Sequence, residues 1–156
     1  MPHLLALRSV DDPDTTLQCA DWPNVLSHAG SYLHGRAAYA QASTLLRDAR
    51  AISEKILGFE HSYTAIALHN LARLYQDEGD LAGAGPLFER ALAIQEKVLG
   101  PEHPDTAISL NNLALLLSAK GDPAAGQPLV ERALAITEKT FGPGHPKTAM
   151  TLNNLA

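Results

Sequence analysis

The chain has 156 residues, 46% hydrophobic and 19% charged, the size and composition of one soluble globular domain. Its 12 Lys and Arg against 17 Asp and Glu leave a net charge of −5 and no basic surplus for phosphate contacts, so nucleic acid is not an expected partner. One cysteine excludes an internal disulfide framework and argues against a thiolate zinc site, and no apolar run approaches the ~18 residues of a membrane-spanning helix.

The first residues, Met1-Pro2-His3-Leu4-Leu5-Ala6-Leu7-Arg8, lack the basic n-region and long apolar h-region of a signal peptide. The expected compartment is the reducing cytoplasm. Residues 1–14 read as a leading segment, a remnant helix of an upstream region. Cys19 follows with no base arranged beside it and reads as an incidental thiol rather than a nucleophile. Ala and Leu number 25 each, against 10 for Val and Ile together. The first pair favours helix and β-branched residues favour strand, so an all-α chain is predicted, with small side chains at many helix contacts.

From residue 15 onward a period of 42 residues organises the chain. Leu57-Gly58 returns as Leu99-Gly100 and Phe141-Gly142, and Glu60-His61 as Glu102-His103, with His145 in register. Residues 57–98 and 99–140 share 25 identities in 42, residues 141–156 match 99–114 at 11 of 16 positions, and residues 15–56 match 57–98 at only 9 of 42. The units are therefore a degenerate repeat (15–56), two good ones (57–98 and 99–140) and a truncated one (141–156).

Each unit reads as two helices. Over 104–120, Leu110, Leu113, Ala114 and Leu117 fall on one helical face, and Pro104 stands at the first helical position, where its missing N–H costs nothing. Gly121 breaks the helix, Asp122 caps the next and Pro123 opens it. That helix places Leu129, Ala133 and Ile136 inward and Glu131, Arg132, Glu138 and Lys139 outward. Gly79-Asp80 repeats the break one period earlier, Gly58, Gly100 and Gly142 end the second helices, and Pro86 and Pro128 each predict a slight kink. One short helical pair cannot bury both of its apolar faces, whereas a stack of pairs can.

The spacing Leu68-x2-Leu71-Ala72-x2-Tyr75, followed by Ala84-x3-Phe88 and Ala91, resembles the tetratricopeptide signature. It recurs as Leu110, Leu113, Ala114, Leu117, Gly126, Val130 and Ala133, and as Leu26, Ala29, Gly30, Leu33, Ala42, Leu46 and Ala49. The 42-residue length, the string from Gly100 to Ala107 and Leu110-Asn111-Asn112-Leu113-Ala114 are similar to the kinesin light chain type of this repeat. The resemblance covers about 15–156 and implies a right-handed superhelical solenoid of helical hairpins, about three repeats plus the first helix of a fourth. Bacterial arrays of this type occur behind regulatory signal-transduction ATPase modules. Pro2-His3-Leu4-Leu5 and Gly30-Ser31-Tyr32-Leu33-His34-Gly35 look similar to the joint between the two.

No chemistry-bearing motif competes with that resemblance. There is no phosphate-cradling G-x-x-x-x-G-K-[ST] loop, no G-x-S-x-G elbow and no H-E-x-x-H, and Gly83-Ala84-Gly85 is a small-residue stretch inside a helix. His61, His103 and His145 cannot share one zinc, whose ligands lie ~2 Å from the ion, because stacked helices stand ~8–10 Å apart. They read as turn histidines that bond backbone between repeats, while His28 and His34 share a helix and lack a third ligand. Glu96-Lys97 and Glu138-Lys139 recur as a solvated face. Neither an enzyme nor a metal or other cofactor is expected.

The candidate functional residues lie on the first helices. Asn70, Asn112 and Asn154 share one position, and Asn111 and Asn153 recur beside them with His69 and Ser27 in register. A carboxamide both donates and accepts, so a row of them can pair with an extended peptide without demanding one sequence. The resemblance implies that first helices line a concave peptide-binding groove. That groove would be formed by Ile66, His69, Asn70, Arg73, Ile108, Asn111, Asn112, Leu115, Asn153 and Asn154. Asn112 bonding a neighbouring repeat is the structural alternative. Only Arg73 brings positive charge to the stripe, so a mixed apolar and polar ligand is expected rather than a strongly acidic one. The implied role is a non-catalytic scaffold for protein or peptide partners in a larger signalling or assembly protein; the alternative is a structural spacer or oligomerisation arm. Ala156 falls inside the first helix of a fourth repeat, and the apolar end at Leu152 and Leu155 would favour self-association.

Overall fold

The structure, a computed structural model, describes residues 21–154. The expectations for the leading segment, for Pro2–Leu5, for Cys19 and for Leu155 lie outside the described residues. Seven helices follow one another: α1 (Trp22–Gly35), α2 (Tyr39–Ile56), α3 (Ser62–Asp77), α4 (Leu81–Val98), α5 (Pro104–Ala119), α6 (Pro123–Phe141) and α7 (Pro146–Asn153). They pair as α1–α2, α3–α4 and α5–α6, with α7 beginning the next unit, and no strand occurs among the described residues.

The turns within repeats follow the sequence reading. Asp80 and Asp122 cap α4 and α6 by accepting the amides of Gly83 at 2.9 Å and Ala125 at 3.1 Å. Gly79 and Gly121, at φ of 86° and 88°, turn the chain just before them. Ala37 stands at the corresponding place between α1 and α2, at φ 59°, where a Cβ is strained. The helices α4 and α6 continue through Pro86 and Pro128.

The turns between repeats are built from three recurring groups. Gly58, Gly100 and Gly142 end the second helices in the left-handed region. The hydroxyls of Thr64, Thr106 and Thr148 donate to the carbonyls of those glycines at 2.8, 2.9 and 2.8 Å. His61, His103 and His145 then cap the first helices, each Nδ1 accepting the amide two residues on at 3.1, 3.1 and 3.2 Å. The histidines do bond backbone in the turn, as the spacing implied, and the backbone they bond is that of the helix they open.

The core is a series of small clusters in which each second helix touches two first helices. Ala42 and Leu46 of α2 pack on Leu71 and Leu74 of α3. Ala84 and Phe88 of α4 pack on Ala72 of their own repeat and on Leu113 and Leu116 of α5. Ala91 and Ile94 meet Ala65 and Leu68, and Ala133 and Ile136 meet Ala107 and Leu110. Small residues set the approach: a Cβ on Gly126 would stand 2.9 Å from the Ala114 carbonyl oxygen. The buried face of the first helices is wider than the single stripe read from the sequence. Leu116 is fully buried whereas Leu117 is half-buried, because α5 is covered both by its own second helix and by the preceding one.

Glu96 and Lys97 also do more than face solvent. Arg90 and Arg132 reach back to Glu54 and Glu96 at 2.6 Å each, Lys97 reaches Glu60 at 2.5 Å, and Lys139 reaches Glu102. The arginine pairs cross from one repeat to the one before, and the lysine pairs join the end of a second helix to the turn that opens the same repeat. Pairs as exposed as these add little to stability, because water screens them and ordering two long side chains costs entropy.

The crossings and turns make stability measurable at single positions. Ala91→Leu forces a branched side chain into the closed α3–α4 crossing, and chemical denaturation is expected to show a loss of about 1–3 kcal/mol. Ala37→Gly relieves the left-handed backbone and is expected to stabilise by about 1 kcal/mol, an increase in denaturation midpoint at unchanged slope.

Candidate functional site

The first helices α3 and α5 carry parallel stripes at i, i+4 and i+7, the spacing of one helical face, and α7 carries the first two positions of a third. Ile66, Asn70 and Arg73 form the first, Ile108, Asn112 and Leu115 the second, and Met150 with Asn154 the third. Arg73, Ile108, Leu115 and Met150 are exposed, and Ile66, Asn70, Asn112 and Asn154 are half-buried. Met150 belongs to the face by its register with Ile108, a signal present in the period that the sequence reading did not use. Ser109, which reaches the site from α5, replaces an alanine of the preceding repeat and carried no such signal.

Side-chain hydrogen bonds join neighbouring stripes. The Asn112 amide lies 3.0 Å from His69 Nε2, Ser109 Oγ lies 3.4 Å from His69 Nδ1, and the Asn154 amide donates to Asn111 Oδ1 at 2.9 Å. With Asn112 donating to Nε2, the single proton of a neutral ring sits on Nδ1 and faces the Ser109 hydroxyl. Burial, and secondarily the charge of Arg73, push the His69 pKa down to about 4, so the ring is neutral at pH 7. It packs nearly perpendicular to the Phe88 ring, with centroids 5.4 Å apart. Among the described residues, Asn70, Arg73 and Asn153 make no side-chain hydrogen bond. Ser27 stands one period before His69, and its buried hydroxyl has no partner, so the corresponding rung between α1 and α3 is not formed.

The predicted groove residues thus divide. His69, Asn111, Asn112 and Asn154 use polar groups to hold first helices side by side. Asn70, Arg73 and Asn153 keep theirs uncommitted, and Ile66, Ile108 and Leu115 add apolar side chains. An open cleft at the α5–α6 pair is lined by Leu115, Ser118, Gly126, Gln127, Val130 and Asn154 among others, with no ionisable side chain on its wall.

Other histidines are locally engaged. His28 bonds the Asn24 carbonyl at 2.8 Å, and His34 meets Asp77 at 2.6 Å, tying α1 to α3. Among the described residues no three His, Cys, Asp or Glu side chains gather to hold a metal ion, and no helix is long and apolar enough to cross a membrane.

Stacked antiparallel helical pairs, each covering the first helix of the next, define a helical-hairpin solenoid. The tetratricopeptide repeat family profile matches residues 63–125 and 110–156, and a second tetratricopeptide repeat profile matches 24–63. The chain belongs to the tetratricopeptide repeat family and is of the kinesin light chain-like type. Among solved structures it is similar to the nearly identical TPR-like repeats of a Podosopora anserina kinesin light chain, at 31% identity and a TM-score of 0.78 over 85% of this chain. A point-substituted form of that protein aligns at 29% identity and 0.80 over 88%. BtubC (BKLC) from P. vanneervenii shares the fold at 24% identity and 0.79 over 92%. The chain spans 63%, 65% and 55% of those three chains. No curated protein matches it.

The low pKa of His69 has a pH signature. The unfolded ring titrates near 6.5 and the folded one near 4, so between those values the unfolded chain holds the extra proton. The His69 contribution is therefore constant above pH 6.5 and is lost as pH falls toward 4, by up to about 3 kcal/mol. Replacing His69 by the residue of the next repeat, His69→Asn, is expected to flatten that part of the stability–pH curve, measured by denaturant titration between pH 4 and 7.

Proposed function

We propose that this array is a non-catalytic scaffold that binds peptide segments or protein surfaces through the row of first helices, as part of a larger signalling or assembly protein. Tetratricopeptide repeats as a family mediate protein–protein interaction, which supports the reading. The observation that carries the reading is the pairing on one row of exposed apolar side chains, Ile108, Leu115 and Met150, with the uncommitted polar groups of Asn70, Arg73 and Asn153. Apolar surface supplies affinity and the carboxamides satisfy a peptide backbone without demanding one sequence. Arg73 is the single cation of the stripes, which fits a mixed apolar and polar segment with at most one acidic anchor.

The amides of Asn112 and Asn111 are poor first targets for testing this, because they hold helices together. Ile108→Asp with Leu115→Asp changes only exposed positions. In a pull-down from a lysate of the source cells, read by mass spectrometry, the wild type is expected to retain a partner that this variant loses at unchanged helical circular dichroism. Equal retention by both would remove the binding site from the first-helix row.

A second reading, an oligomerisation arm acting through the C-terminal end, is favoured by one observation. Leu152 is 43% exposed, whereas Leu110 and Leu68, one and two periods earlier, are fully buried. It predicts a concentration-dependent mass in analytical ultracentrifugation that Leu152→Asp abolishes. A constant monomer mass would end it.

A further inference from the structure

Two second helices share a five-residue string. Arg90-Ala91-Leu92-Ala93-Ile94 of α4 returns unchanged as Arg132-Ala133-Leu134-Ala135-Ile136 of α6. Three of its residues have fixed partners. Ala91 and Ile94 cover Ala65 and Leu68, and Ala133 and Ile136 cover Ala107 and Leu110, on the first helix of the same repeat. The arginine ahead of them reaches the preceding second helix, Arg90 to Glu54 and Arg132 to Glu96, at 2.6 Å each. Arg132 also donates to the Pro101 carbonyl at 3.1 Å. The string thus engages two neighbouring helices, one by apolar fit and one by charge.

One period on, the receiving half of that contact is in place and uncovered. Glu138 follows Ile136 as Glu96 follows Ile94, is exposed, and has no cationic partner among the described residues. Ala149 and Leu152 of α7, the counterparts of Ala107 and Leu110, are also exposed, Leu152 at 43% where Leu110 is fully buried. Pro143 stands exposed one period after Pro101. The carboxylate lies on α6 and the apolar pair on α7, so one helix laid along both meets both, as α6 itself meets α4 and α5. What this chain can offer to the face is restricted. The helices α4 and α6 use their strings inside their own array, and α2 carries Asp48-Ala49-Arg50-Ala51-Ile52, an acid in the place of the arginine. A second copy docking through α2 would set Asp48 against Glu138, and like charges brought together at an interface reject a partner.

We propose that the face formed by Glu138, Ala149 and Leu152 is the docking surface for an amphipathic helix of a partner protein, one carrying an arginine with alanine at the next position and isoleucine four positions on. The arginine pairs with Glu138, and the alanine and isoleucine close over Ala149 and Leu152. Charge complementarity selects the occupant, and the surface continues the α6–α7 contact already present. It is separate from the first-helix row and does not rest on the peptide-binding reading. It gives the exposed Leu152 to a partner helix instead of a second copy.

A labelled peptide of residues 123–141, which carries the string, is the probe, and fluorescence anisotropy with the full chain is the readout. Saturable binding is expected. Arg132→Glu in the peptide, or Glu138→Arg in the chain, is expected to weaken it several-fold, and the two changes together to restore it. Restoration puts the peptide beside α6 and not in its place, where Arg132 would meet Glu96. Leu152→Asp in the chain is expected to weaken binding with helical circular dichroism retained, and a peptide of residues 39–56, which carries Asp48, to bind several-fold more weakly. Glu138→Gln provides a milder change in the same direction should the charge reversal lose helicity. No saturable binding by the wild type would overturn the proposal. So would indifference to the charge exchange, or equal binding of the two peptides. A chain mass that rises with concentration in the absence of peptide, and stays monomeric in Leu152→Asp, would give the face to a second copy and overturn it as well.

Discussion

Everything in this structure depends on one contact, the second helix of each repeat covering the first helix of the next. A first helix has apolar residues on two sides, one toward its own partner and one toward the preceding pair. Leaving the second side in water would forgo roughly 1.5–3 kcal/mol for each fully buried leucine such as Leu74 or Leu116. No single hairpin can supply that cover, so stability is a property of neighbours and not of units. The small residues follow from the same contact. Ala84 and Gly126 allow the second helix close enough to touch both first helices at once.

The eight residues by which this repeat exceeds the ~34 of the ordinary unit lengthen the second helix and form the joint between repeats. At that joint a left-handed glycine turns the chain, a threonine hydroxyl closes the turn onto the glycine carbonyl, and a histidine ring caps the helix that begins. The cap needs Nδ1 as an acceptor, which is available only on a neutral ring. Histidine is thus used here as a helix cap with a planar body that packs, a structural role for a residue whose recurrence invites a metal reading.

The first-helix row carries two kinds of polar side chain. Its inner polar groups, His69, Asn112, Asn111 and Asn154, fix the spacing of successive helices by direct bonds. Its outer ones remain available. On the proposed reading, a partner lying across the row would meet a surface whose geometry is already set, which lowers the ordering cost of binding. The neutral state of His69 belongs to the same arrangement, since a charged ring would lose Asn112 as a donor and would face Arg73.

The period and the small-residue helices were readable in the chain itself, because glycine, proline and capping aspartate act locally and repeat identically. The caps at Asp80 and Asp122 and the glycine turns needed nothing beyond their neighbours in sequence. The width of the buried face, and so the burial of Leu116 rather than Leu117, was not readable, because it depends on a helix one repeat away. The same holds for the ion pairs of Arg90 and Arg132, whose partners lie in the preceding repeat. It holds most of all for the asparagines. Their recurrence marked them as functional in sequence, but a carboxamide is equally suited to a ligand or to a neighbouring helix. Only the lateral spacing of α3, α5 and α7, a tertiary quantity, decided that Asn112 gives its donor to His69 while Asn70 keeps its own free.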